Sequence, residues 1–196
     1  MKKKTRVALI TGAAGLLGMQ HATALLEINF KVILLDIDGK KLDKTVNFLK
    51  KKFSSKKVLS FKVDITKELE ILSLKKKLNK QKIFVDTLVN NADINPSMNK
   101  VKGSFGKIEE YPIKNLIKEI EVGIVGTFIC TKIFGSEMCK KKFGVIVNMG
   151  SDLALIAPDH SIYHPKENHE KVKNFKPVGY SISKFGLLGF TKYIST

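Results

Sequence analysis

The chain has 196 residues, 43% of them hydrophobic, and Lys+Arg 35 against Asp+Glu 18 leaves a formal charge of +17. That length is one domain by the usual prior and supplies apolar residues for a sizeable core, which excludes a disordered or fibrous chain. The excess charge is lysine in pairs and triplets such as Lys50 to Lys52 and Lys140 to Lys142, and arginine is scarce; specific nucleic-acid binding, which needs bidentate arginines or interleaved aromatics, is therefore excluded in favour of a solvated basic face.

Cys130 and Cys139 lie in one predicted helix without a CxxC or metal spacing, so they read as reduced thiols of a cytoplasmic protein. MKKKTR resembles the start of a signal peptide, but the apolar run after it breaks at Thr11-Gly12. No segment is expected to be long enough to span a bilayer.

In chain order, Val7 to Ile10 form a strand-length apolar run. Thr11 opens a turn, and Gly12, Gly15 and Gly18 recur every three residues before a helix over Leu16 to Ile28. Glycine there serves positive φ at the turn, close approach of a pyrophosphate and packing of the helix on its strand. Lys31 to Leu35 is a buried strand ending at Asp36, which stands 18 residues beyond Gly18. A carboxylate about 20 residues after such a loop meets the ribose hydroxyls of an adenine dinucleotide. Asp36 is also readable as a solvated strand-end acid or helix cap, and Asp38 competes for its role. A carboxylate there repels a 2′-phosphate, so NAD is expected, with NADP the alternative that Lys40 and Lys41 leave open.

Lys40 to Phe53 is a second helix and Lys57 to Val63 a third strand, followed by Asp64-Ile65-Thr66, with Thr66 placed to cap a helix running to about Lys80. Val85 to Val89 is a fourth strand that opens into Asn90-Asn91-Ala92-Asp93. Alternating strands and helices predict an α/β fold of the Rossmann type, a doubly wound parallel sheet of about five strands with ligands at the carboxyl ends of its strands. Pro96 to Pro112 reads as a loop, and from Lys114 a helix runs to about Lys142. Gly123 and Gly126 sit inside it and predict close packing. Gly144 to Asn148 is the fifth strand, leading to Met149-Gly150-Ser151.

Asp152 to Val178 is the least regular part. Its His160, His164 and His169, with Asp159 and Glu167, resemble a metal cluster. Pro158, Pro165 and Pro177 argue against the helix that would align the histidines, so a polar substrate-side loop is expected and no metal. Gly179 to Ile194 is the last helix. It carries Tyr180 and Lys184 four residues apart on one face. An ammonium beside a tyrosine stabilises the phenolate, which is what a tyrosine needs to move a proton near neutral pH. Ser151, at the end of the fifth strand, is placed to hydrogen-bond a substrate carbonyl.

Through TGAAGLLG, Asp36, Asp64, NNAD, VIVNMGS and YSISK the chain resembles the short-chain dehydrogenase/reductase family over essentially its whole length. The resemblance implies one dinucleotide-binding oxidoreductase domain over residues 1–196. In it Thr11, Gly12, Gly15, Leu17 and Gly18 line the pyrophosphate loop, Asp36 takes the adenosine ribose, and Asp64 and Ile65 the adenine edge. Asn90 and Ala92 lie along the cofactor. Ser151 orients the substrate oxygen, Tyr180 is the general acid/base, and Lys184 lowers the tyrosine pKa and holds the nicotinamide ribose.

Four departures stand out. Leu16 occupies a position where shorter-chain relatives want glycine, NNAG has become NNAD, and the catalytic asparagine of the VNxxG pattern is Gly123. Relatives also continue past the active-site helix with further strands and a PG turn, so a C-terminally incomplete chain is expected. Full-length relatives are homo-oligomers that use this last helix in their dimer interface.

The 29 residues from Ser151 to Tyr180 are more than the family norm and resemble the subset linked to bacterial sugar and surface-polysaccharide synthesis. The expected activity is interconversion of a secondary alcohol and a ketone on a small-molecule, sugar-like substrate. A 3-oxoacyl-carrier-protein reductase-like enzyme and a non-catalytic dinucleotide-binding fragment are the alternatives. Nucleic-acid binding through the basic surface would instead show steep salt dependence with little sequence preference.

Overall fold

In the computed structural model, which describes residues 5–94, 108–163 and 175–196, every predicted strand forms within two residues of its expected bounds. β1 (Val7–Thr11), β2 (Lys31–Asp36), β3 (Val58–Lys62), β4 (Thr87–Asn90) and β5 (Val145–Asn148) build one sheet in the order β3-β2-β1-β4-β5. All four pairings are parallel. The helices between them are α1 (Leu16–Glu27), α2 (Gly39–Lys52) and α3 (Glu68–Lys80).

Parallel strands covered on both faces read as continuous apolar runs. Ala8, Leu9 and Ile10 of β1 and Val32 to Leu35 of β2 are accordingly fully buried. Ile10, Val32, Leu34, Val58 and Val89 form one core with Ala22 and Leu26 of α1 and Leu42, Val46 and Leu49 of α2. Each Val, Leu or Ile side chain among them contributes about 1.5–3 kcal/mol by leaving water. Order reverses at β1, whose neighbours are β2 and β4, and such switch points are where open α/β sheets bind ligands. β5 is an edge strand, and its Val145 and Val147 are 47% and 41% exposed.

The chain divides into two compact units. The first holds the sheet with residues 125–149; the second comprises residues 93–124 and 150–196. The second is built on α4 (Ile113–Ile120) and α7 (Val178–Ile194), which pack together, with a 3-10 turn at Asp152–Ala154 against α7. α5 (Thr127–Cys130) and α6 (Ser136–Lys141) belong to the first.

Two sequence expectations are corrected. Thr66 does not cap α3: its hydroxyl donates to Asp64 Oδ1 at 2.7 Å, and the residue before the helix, Lys67, makes no side-chain cap. Nor is the chain without a segment of membrane-spanning length, because Ile113–Lys141 runs as one helix of 29 residues with mean hydropathy 1.3. Its apolar window is 56% buried within the protein, as in a core helix of a globular domain. Gly123 and Gly126 do not break this run. The ladder widens to a π-turn over Glu121–Gly126, a local form that recurs at functional sites.

The loop expected at Pro96 to Pro112 is described only from residue 108, where Ile108–Glu110 forms a 3-10 turn. His164, Glu167 and His169 lie outside the described residues. Among the described residues no group of three His, Cys, Asp or Glu side chains is placed to hold a metal ion. Cys130 and Cys139 are free thiols, and burial pushes Cys130 up to about 12.

Candidate active site

The glycine loop is braced from β4. Thr11 is buried, and its hydroxyl accepts the Asn91 and Ala92 N–H groups at 3.0 Å each. Asn91 Nδ2 donates back to the Thr11 and Gly12 carbonyls at 3.0 and 3.1 Å. Gly12 takes φ +61°, and a Cβ there would lie 2.8 Å from Ala92 Cα. A Cβ on Gly18 would lie 2.7 Å from Ala13 Cα, so only glycine lets α1 start this close to the loop.

Gly15 precedes α1 in extended conformation without a side-chain cap, and Leu17 is 55% exposed. The first N–H groups of a helix have no partner within it, and with the positive end of the dipole they favour an anion.

At the end of β2 the two acids separate by geometry. Asp38 is the cap of α2: its Oδ1 accepts the Lys41 N–H at 3.1 Å, a bond that holds its carboxyl below the usual carboxylate range. Asp36 instead faces the loop, where Oδ2 accepts the Ala14 N–H and Oδ1 the Asp38 N–H, both at 2.9 Å. Asp64 accepts the Thr66 N–H at 3.0 Å beside buried Ile65. Asn90 is tied into the sheet end, with Nδ2 donating to Asn148 Oδ1 at 2.8 Å and to Thr131 Oγ1 at 3.1 Å; its buried Oδ1 is unpaired.

In the second unit the start of α7 brings Tyr180 and Lys184 together. Lys184 Nζ lies 5.4 Å from the Tyr180 ring centroid, and Lys176 Nζ lies 4.1 Å from it. Burial pulls the Lys176 amine below its ordinary value, against the opposing pull of Asp93, Asp152 and Glu119. Lys184 is buried and pairs with Asp93 Oδ2 at 2.9 Å. Ser151 caps the 3-10 turn that packs on α7, accepting the Leu153 N–H at 3.2 Å while its hydroxyl donates to Asp152 Oδ1 at 2.7 Å. That donated bond holds the Asp152 carboxyl low.

Sequence reasoning missed Asn91, Lys176 and above all Glu119. Glu119 is 2% exposed, accepts the Tyr111 hydroxyl at 2.6 Å through Oε1, and packs against Gly179 next to Tyr180. Its backbone carbonyl accepts the Ser183 hydroxyl at 3.2 Å. Burial raises its carboxyl, and the nearby Asp93 charge raises it further against the Tyr111 hydrogen bond and the Lys176 charge. Burial and the same hydrogen bond also push the Tyr111 phenol up. One signal was available: Glu119 stands four residues before Gly123, whose place inside the helix predicts close packing on that face.

The sequence model of the short chain dehydrogenase family matches residues 6–163, and the chain belongs to that family. It is 28% identical over 190 residues to an NAD-dependent glycerol dehydrogenase of Listeria innocua, covering 97% of this chain and 63% of that protein. It is 29% identical over 197 residues to a 3-oxoacyl-acyl-carrier-protein reductase of Buchnera aphidicola, covering 100% of this chain and 68% of that one. A short chain dehydrogenase from Leptospira borgpetersenii, solved with bound NAD+, matches in structure with a TM-score of 0.76 at 25% identity, over 97% of this chain and 65% of that one. NAD+-bound xylitol dehydrogenase shares the fold, with a TM-score of 0.79 at 22% identity over 99% of this chain and 65% of that one. The chain thus spans about two thirds of the length of these relatives.

Proposed function

We propose that the chain is an NAD-dependent oxidoreductase that interconverts a secondary alcohol and a ketone on a polar, sugar-like substrate. The observation that carries this reading is the pair on α7, a buried Lys184 ammonium 5.4 Å from the Tyr180 ring centroid. The residues of the first unit fit a dinucleotide. The uncapped start of α1 behind Gly15 suits a pyrophosphate, with Thr11, Gly12 and Gly18 shaping the loop, and Asp36 suits ribose hydroxyls. Asp64 and Ile65 would take the adenine edge, and Asn90 and Ala92 would line the stretch beyond it.

Bound there, NAD supplies the hydride acceptor or donor. The Tyr180 hydroxyl gives or takes the proton at the substrate oxygen, Lys184 supplies the positive charge that a phenolate needs beside it, and Ser151 orients the oxygen. Ser151 now donates to Asp152, so its hydrogen must swing to the substrate.

The Asp36 carboxylate would repel a 2′-phosphate, which favours NAD over NADP. A polar substrate is supported by the relative named as a glycerol dehydrogenase and by the polar segment between Ser151 and Tyr180. The +17 charge would steer an anionic sugar nucleotide of the surface-polysaccharide kind. The Buchnera relative favours the second reading, a 3-oxoacyl reductase, which would use NADPH.

Tyr180→Phe is the direct test. Turnover of an alcohol with NAD should fall at least about 100-fold, with the urea midpoint and NADH binding retained. Unchanged turnover would remove the reading.

A further inference from the structure

Two departures from the family pattern meet in space within the second unit. A Cβ placed on Gly123 would lie 3.2 Å from Asp93 Oδ1, 3.0 Å from Ser183 Cβ and 3.1 Å from Ser183 Oγ. The room that a side chain at position 123 would take is therefore held in part by the Asp93 carboxylate. The other oxygen, Asp93 Oδ2, stands 2.9 Å from Lys184 Nζ, with the two side chains only 13% and 7% exposed. Asp93 is itself fixed, because Oδ1 accepts the Ile94 N–H at 2.8 Å.

An ammonium this deeply buried needs a compensating charge, and removing one member of such a pair leaves the other uncompensated. Lysine also ends a flexible four-carbon stem, so an anchor decides where its charge sits. The second ammonium near the Tyr180 ring, Lys176, is a like charge that makes a fixed position for Lys184 harder to hold without a carboxylate.

We propose that Asp93 is the positioning residue for Lys184 in this chain, and that Gly123 is the small residue that makes room for it. A charged clamp from the NNAD turn thereby does the work that an asparagine at position 123 would do in relatives. This rests on the reading of Lys184 as the partner of Tyr180 and of the nicotinamide ribose.

NADH affinity, followed by fluorescence in a double-mutant cycle, tests the clamp. Asp93→Asn should weaken NADH about tenfold when Lys184 is present and by less than about twofold when the background carries Lys184→Met. Equal factors in both backgrounds overturn the proposal. A second pair of variants tests the shared space. Asp93→Gly should impair NADH binding and turnover, and adding Gly123→Asn to it should restore both to within about threefold of the unaltered chain, whereas Gly123→Asn alone should be harmful. If Gly123→Asn acts the same with and without Asp93, the proposal fails. If the unaltered chain binds no NADH, the functional reading fails and takes this role with it; binding with additive factors removes the role of Asp93 alone.

Discussion

Gly12 and Gly18 set the scale on which this site is built. At Gly12 the backbone must turn through positive φ against Ala92, and at Gly18 the start of α1 lies against Ala13 with no room for a methyl group. Both demands come from main-chain atoms, which cannot rotate away as a side chain can. Gly18→Ala should therefore lower the urea midpoint by the equivalent of about 1–3 kcal/mol, and should weaken NADH, because the loop must move to admit the new Cβ. An unchanged midpoint would show that the loop gives way freely. The acids near the loop follow the same logic. Asp36 and Asp38 look alike in the sequence, and only the caps assign them: Asp38 serves Lys41 of α2, while Asp36 serves Ala14 of the loop.

The α4 and α7 pair carries the least expected chemistry, because Glu119 places a carboxyl in a packed helix interface. Its folded value lies above the ordinary 4.5, mainly through burial. A carboxyl raised in this way contributes stability that is fully present below its unfolded value and is lost as pH rises through the folded one. The urea midpoint should consequently fall as pH is raised from about 4.5 toward neutrality. Glu119→Gln keeps an acceptor for Tyr111 and should flatten that fall; the same slope in both proteins would contradict the assignment.

Strands and helices were legible to within two residues because long apolar runs and 3.6-residue spacing are local properties. The Tyr180 and Lys184 pair was legible for the same reason, one helical turn being a fixed distance. The Lys184 contact with Asp93 was not, since it joins residues far apart in the chain. Nor was Glu119, whose neighbours Tyr111 and Gly179 come from other segments. The Thr66 cap failed because Asp64, two residues away, captured the hydroxyl first.

Over the whole molecule, the charge and the exposed β5 edge are features of surface, while the proposed cofactor residues lie at the carboxyl end of the sheet and the proposed acid/base pair on α7. The basic surface is lysine on helix ends and turns, which raises encounter rates for anions without naming one. In the proposed function, selection among dinucleotides would be local: an uncapped helix start would take the pyrophosphate and the Asp36 carboxylate a free 2′-hydroxyl. Binding of NAD through that loop is tested by titration with NADH against NADPH, followed by nicotinamide fluorescence. NADH should bind saturably and at least about tenfold tighter than NADPH, a difference of about 1.4 kcal/mol, whereas an absence of saturable NADH binding at any concentration would rule out this role for the loop.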